Sequence, residues 1–323
     1  MRVSLFASLL GVFISFSAVA AEVGFQSVSV PDLPGSPLAI GIWYPASAVP
    51  SDRMLNLFTQ HVAPEAPVAG GGHALIVMSH GHGGSLDNHY DTALALAHAG
   101  FVVVSITHTG DNYRDLSRST DLPARTRAIH TVVGYMLADW PSHAAIDETK
   151  IGMFGFSIGA FTALVSIGGV PDLAKVGPFC AAHRQAYSCI LAQESPVTTP
   201  IVDTDWVRES RIKAAVVAAP AIGFAFAPSG LAAVHVPIQL WRAADDHILP
   251  SPDYVEPVRA ALPIPPEYHV VAGADHFDFL APCSDALAHA VPSICSEHGD
   301  FNRAAFHQAF NADVVSFFLR TLH

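Results

Sequence analysis

The chain has 323 residues, 51% hydrophobic and 14% charged, and 16 Lys+Arg against 28 Asp+Glu give a net charge of −12. A chain this apolar and this lightly charged is not disordered. Its acid excess excludes the basic surface that nucleic-acid binding requires and opposes docking on an anionic membrane face.

Residues 1–20 open on Met1-Arg2, run without charge from Val3 to Ala20 and end in the small-x-small triplet Ala18-Val19-Ala20. That pattern predicts a secretory signal peptide cut at Ala20/Ala21. The competing reading is an uncleaved anchor, because the run approaches the ~20 residues that span a bilayer. Cleavage removes Arg2 and no acid, leaving 15 bases against 28 acids and a charge of −13. No later stretch is long and apolar enough to span, so the mature protein is expected to be exported, periplasmic or secreted, with no membrane span.

Two extended segments follow, Phe25–Val30 and Leu38–Trp43, joined through Pro31, Pro34 and Gly35 as a β-hairpin. Residues 45–71, rich in Pro, Gly and Ala, read as a connection. Strands and helices then alternate. Ala74–Ser79 is a buried strand, Asp91–Ala99 a helix stopped by Gly100, and Phe101–Thr107 a second strand. Pro123–Trp140 carries apolar residues at helical spacing, Lys150–Phe156 is a strand, and Ile158–Ile167 a helix stopped by Gly168-Gly169. Residues 170–212 break the rhythm and read as a cap or insertion. Strands Ala214–Ala218, Ile238–Arg242 and Tyr268–Ala272 resume it, with a helix at Tyr254–Ala261 and a closing helix over about Asn302–Leu322.

The expected fold class is therefore α/β: a mostly parallel twisted sheet with helices on both faces and a cap insertion. Without a linker or repeat, residues 21–323 form one domain. Cys180 and Cys189 lie nine positions apart, and Cys283 and Cys295 twelve apart. Of the three possible connectivities, local pairing, Cys180–Cys189 and Cys283–Cys295, is expected.

The strongest chemical signal is Gly155-Phe156-Ser157-Ile158-Gly159, set between an apolar strand and a helix. That is the context of a nucleophile elbow, a strained turn that presents a serine at a helix N-terminus. A tight turn with an exposed serine is the alternative. A serine nucleophile needs a base and an orienting acid, in the chain order Ser, Asp, His. Asp245 and Asp246 compete for the acid after strand Ile238–Arg242. Asp246 is favoured, because it stands four before Pro250 in an Asp-x-aliphatic-aliphatic-Pro run. His276, after the last strand, is the base. Asp275 reads as a loop residue, and His289, His298, His307 and His323 as surface histidines.

Ser79-His80-Gly81-His82-Gly83-Gly84 follows an earlier strand. Its glycines let the loop turn amides toward the serine, so the N–H groups of His82 and Ile158 are the expected oxyanion donors. His80, His82, Asp87 and His89 could instead be read as a metal cluster, but no HExxH helix or acidic ligand set accompanies them. His80 reads as a loop brace, and no metal or cofactor is expected. His108 to Tyr113 either lines the cleft or forms a polar turn. Trp43, Trp140 and Trp241 read as core, and Trp206 as the best cleft candidate among the tryptophans.

These motifs, with Asp246 and His276, resemble the α/β-hydrolase superfamily. Within it they are similar to the secreted dienelactone-hydrolase-like branch, near platelet-activating-factor acetylhydrolases and cutinase-like polyester hydrolases. The resemblance covers about residues 24–320 and implies a cofactor-free serine esterase acting on small to medium esters. Dienelactone hydrolases use cysteine where this chain has Ser157, and the acetylhydrolases often carry histidine where it has Phe156. Amide or peptide hydrolysis, a lipid-specific activity and a non-catalytic binding module are the alternatives.

Overall fold

The structure, a computed structural model, describes residues 22–32, 37–195, 201–296 and 299–322. The signal segment 1–20, Pro34, Gly35, His298 and His323 lie outside the described residues.

Among the described residues ten strands form one sheet: β1 Glu22–Val30, β2 Leu38–Ala46, β3 Ser51–Leu55, β4 Phe58–Pro64, β5 His73–Ser79, β6 Val102–Thr107, β7 Ile146–Phe156, β8 Ile212–Ala218, β9 Ile238–Ala243 and β10 Glu267–Val271. Their order is β10-β9-β8-β7-β5-β6-β2-β1-β4-β3. From β10 to β6 every pairing is parallel, whereas β2 pairs antiparallel with both β1 and β6. The expected hairpin is thus the β1–β2 pair.

The helices are α1 Tyr90–His98, α2 Leu122–Ala138, α3 Ile158–Ser166, α4 Val176–Ala182, α5 Tyr187–Glu194, α6 Pro228–Leu231, α7 Val255–Ala261, α8 Asp285–Ala290 and α9 Arg303–Thr321. The α2 start is fixed locally, since the Asp121 side chain accepts the Ala124 amide and a proline occupies the first turn. Asn302 does the same for α9 through the Ala305 amide at 2.9 Å.

The parallel strands are apolar on both faces because both faces are covered. Leu75 and Val77 of β5 and Met153 of β7 pack with Ile129 of α2, Phe161 of α3 and Val258 of α7 in one buried cluster. Ala74, Ile76 and Met78 of β5 and Phe154 of β7 pack with Leu96 of α1 and Phe310 and Phe318 of α9 in the other. The period-2 alternation along β5 therefore feeds two separate cores.

Residues 45–71 are not a plain connection, as their composition suggested, but contain the antiparallel pair β3–β4. Asn56 makes the turn at φ 51°, a conformation that asparagine tolerates. Along β4, Phe58, Gln60 and Val62 are buried and alternate with exposed Thr59 and His61. β3 exposes Asp52, Arg53 and Met54, as an edge strand does. Among the described residues of the segment 170–212, α4 and α5 are present and no strand precedes β8.

Candidate active site

The site lies at the carboxyl ends of the parallel strands, where open α/β sheets gather their loops. Ser157 directly follows β7 and starts α3 at φ 56° and ψ −120°. That backbone is strained for a residue with a side chain, at a cost of about 1–3 kcal/mol. Its neighbours hold it there. The Ser157 amide donates to the Ala218 carbonyl at 2.9 Å, and the Ser157 carbonyl accepts the Ala221 amide at 3.1 Å. Both flanking glycines are required by backbone approach. A Cβ on Gly155 would run into the Gly159 carbonyl, and one on Gly159 into the Ser79 carbonyl.

The His276 ring lies against Ser157 and Asp246. Its Nε2 is 3.1 Å from Ser157 Oγ, and its Nδ1 is 2.8 Å from Asp246 Oδ2. The other Asp246 oxygen accepts the amides of Ile248 at 3.0 Å and Leu249 at 2.6 Å, so the carboxylate is fixed at both ends. Asp246 is buried and Asp245 exposed, which separates the two competitors. Phe156 packs beneath the imidazole, ring centroids 4.8 Å apart. A neutral ring that donates Nδ1–H to Asp246 leaves Nε2 free to accept the serine proton.

Asp275 is a loop residue with a definite task. Its carboxylate accepts the amides of His247 at 2.8 Å and His276 at 2.7 Å. The Asp245 amide donates to the Ala274 carbonyl at 3.0 Å. The loops that carry Asp246 and His276 are thereby tied into one unit. Burial pushes the Asp275 carboxyl up, but the hydrogen bonds from His247 and His276 outweigh it and leave the group below its ordinary value.

His307 departs from the surface position expected for it. It is buried on α9, with Nδ1 2.6 Å from Asp91 and Nε2 2.9 Å from the Asp278 carbonyl. Asp278 in turn accepts the Asp275 amide at 2.8 Å, so this network underpins the loop that carries His276. His289 is exposed.

The glycine loop after β5 passes against the serine, for a Cβ on Gly81 would stand 3.2 Å from Ser157 Cβ. His80 braces this loop. The His108 amide donates to His80 Nε2 at 3.0 Å, so the proton sits on Nδ1 and is donated to the Gly81 carbonyl. Burial, with Arg125 nearby, pushes the His80 pKa down to about 3, which keeps the ring neutral. With Nε2 committed to a backbone amide, His80 has no lone pair left for a metal.

Two residues that the sequence did not single out as a pair complete the support. Arg125 of α2 and Asp111 meet at 2.6 Å in a buried ion pair. Arg125 also donates to the His80 carbonyl, while Asp111 accepts the Gly83 amide at 3.1 Å and approaches His82 Nδ1 at 2.8 Å. Burial pushes the Asp111 carboxyl up, but Arg125 and the His82 hydrogen bond more than reverse this and hold it well below the usual carboxylate range. The loop carrying His82 is thus positioned by one buried cation and one buried anion.

Two cavities open onto Ser157, one of about 370 Å³ and one of about 250 Å³. Asp111 lines the first and Tyr113 the second, so the segment His108 to Tyr113 both braces the loop and faces the cleft. Trp206 lines neither; it packs against the core, 6.0 Å edge-on to Phe161. Trp43, Trp140 and Trp241 are buried. Both expected disulfides are formed, Cys180–Cys189 and Cys283–Cys295, with Cα separations of 5.4 and 5.9 Å.

No protein-family model and no curated protein matches the sequence. Among solved structures, the chain is similar to a ferulic acid esterase from Streptomyces cinnamoneus, with TM-score 0.65 and 18% identity over 94% of this chain and 91% of that one. This likeness and the strand order establish the α/β-hydrolase fold.

Proposed function

We propose that the protein is an exported serine hydrolase that cleaves carboxylic esters through an acyl-enzyme. The observation that carries this reading is the hydrogen-bonded chain Asp246–His276–Ser157, with Ser157 Oγ at the meeting point of two cavities. The fold shared with a ferulic acid esterase supports ester chemistry over other acyl transfers.

In this reading His276 Nε2 takes the Ser157 proton as Oγ attacks the ester carbonyl. Asp246 keeps Nδ1 protonated and stabilises the imidazolium. The Ile158 amide is the first of α3, so it has no intrahelical acceptor. Together with the His82 amide on the braced loop it would hold the oxyanion, a device worth about 10²–10³ in turnover per donor. His276 then gives its proton to the departing alcohol and activates a water that releases the acid.

The chemistry of these groups is complete without a metal or cofactor. Residues 1–20 are removed on export, and residues 21–323 act as one catalytic domain whose segment 170–212 forms a cap. The two disulfides suit an oxidising compartment outside the cytoplasm, and among the described residues no helix is long and apolar enough to cross a membrane.

The test is turnover of p-nitrophenyl esters against matched anilides, with Ser157→Ala alongside. Ester turnover that vanishes in Ser157→Ala is expected. Anilide turnover with inert esters would overturn the reading.

A further inference from the structure

The two cavities at Ser157 have different walls, and each contains one disulfide-tied segment. The larger lies under the cap and is apolar: Leu173, Val176, Leu191, Ile222, Phe224 and Leu249 line it. Val176 and Leu191 belong to α4 and α5, the two helices that Cys180–Cys189 joins. The smaller is lined by Asn56, Asp87 and Tyr113 together with Leu287, Val291 and Ile294. Those last three all lie within the loop that Cys283–Cys295 closes. That loop is held to the body by Arg303, which donates to the Ile294 carbonyl at 2.9 Å and to Asp278 at 2.9 Å. Tyr187, His82 and Ser157 border both cavities.

Only the smaller cavity is lined by His276. The alcohol of an ester leaves with the proton that His276 carries, so it must leave on the His276 side. The acid stays on Ser157 and extends the opposite way, past Ile158, into the larger cavity.

We infer that the protein reads the two halves of its ester in separate chambers: an uncharged apolar acid of medium size under the cap, and an alcohol of mixed polarity in the chamber beside His276, each chamber's wall set by its own disulfide. This assignment rests on the esterase reading and deepens it. About 370 Å³ of apolar space accommodates a medium-chain or aryl acid, and the residues that line it include no lysine or arginine to pair with an anionic one. Leu191 is the selectivity residue for the acid and Leu287 for the alcohol; both are half-buried on short helices, where a larger side chain fills the chamber without entering the core.

The experiment uses the full mature chain and two ester series that share methyl acetate. One lengthens the acid from methyl acetate to methyl octanoate, and the other lengthens the alcohol from methyl acetate to hexyl acetate. In the parent protein kcat/KM rises about four-fold for each methylene that enters a chamber. Leu191→Trp lowers the octanoate-to-acetate ratio at least about ten-fold. It keeps the hexyl-to-methyl ratio within about two-fold, because separate sites act independently. Leu287→Trp does the reverse. The Cys180→Ser/Cys189→Ser pair flattens the acid series alone, and Cys283→Ser/Cys295→Ser the alcohol series alone. If a cysteine pair fails to fold, the tryptophan pair decides. Swapped or uniform effects in an active parent overturn the two-chamber assignment and spare the esterase reading. A parent protein inert toward every ester overturns both.

Discussion

Arg125 Nη1 and Asp111 Oδ2 meet at 2.6 Å in the interior, and between them they hold the glycine loop at three backbone or side-chain points: the His80 carbonyl, the Gly83 amide and the His82 ring. Arg125 lines neither cavity, and Asp111, at the border of the larger one, spends its carboxylate on Arg125, the Gly83 amide and the His82 ring, so the pair's part is to position the loop.

Removing one member of this pair leaves a buried charge without its partner. Asp111→Asn is expected to cost about 3–5 kcal/mol in stability. It should also lower kcat by roughly 10²-fold, since the loop amide moves away from the oxyanion while substrate still binds. Urea unfolding beside steady-state kinetics reads both effects, and a loss confined to KM would contradict the positioning role.

The elbow glycines give a second expectation. Gly159→Ala drives a methyl group into the Ser79 carbonyl, and no flexible side chain is there to yield. The strain is expected to cost about 1–3 kcal/mol or more and to displace Ser157. Thermal unfolding and ester turnover check it; an alanine variant with the parent melting temperature and turnover would show that the backbones are not in contact.

Much of this frame was legible in the sequence, for physical reasons. Strands such as Ala74–Ser79 are covered on both faces, so their apolar runs are continuous, and the elbow glycines are dictated by backbone contact. The hairpin β3–β4 was not legible, because an edge strand carries Asp52 and Arg53 and has little apolar content of its own; the alternation Phe58, Gln60, Val62 after Asn56 was the available signal. The Arg125–Asp111 brace and the burial of His307 were hidden for another reason. Each depends on partners distant in sequence, 14 positions for the first and 216 for the His307–Asp91 pair, and composition carries no trace of such pairing.

Acid should weaken the fold in a defined window. Burial pushes His80 and His89 down to about 3 and holds His108 well below its ordinary value, so all three are neutral in the native protein. Unfolded, each titrates near pH 6.5. The unfolded chain therefore binds more protons below that pH. Stability is full above about pH 6.5 and falls as pH drops toward 3, by about 1.4 kcal/mol per pH unit for each histidine. His89 sits between Phe154 and Phe156, at 4.9 and 5.3 Å between ring centroids, so His89→Phe suits its surroundings and should make the slope shallower by one proton. Urea midpoints from pH 7.5 to 5 measure it, and an unchanged slope would contradict the neutral buried state.

The two adjacent aspartates should separate cleanly. Asp246→Asn is expected to lower kcat by about 10⁴, because the His276 tautomer is no longer held. Asp245→Asn, at an exposed position, should leave kcat at the parent value. Turnover of one ester by both variants checks this, and a large loss in Asp245→Asn would reassign the acid.

The central claim is that Ser157 is a nucleophile activated by His276. Covalent labelling by a fluorophosphonate, mapped by peptide mass, tests it most directly. The expected result is one added phosphonyl group on Ser157, formed rapidly in the parent protein and lost in His276→Ala. Labelling at another residue, or equal labelling of Ser157 without His276, would contradict it.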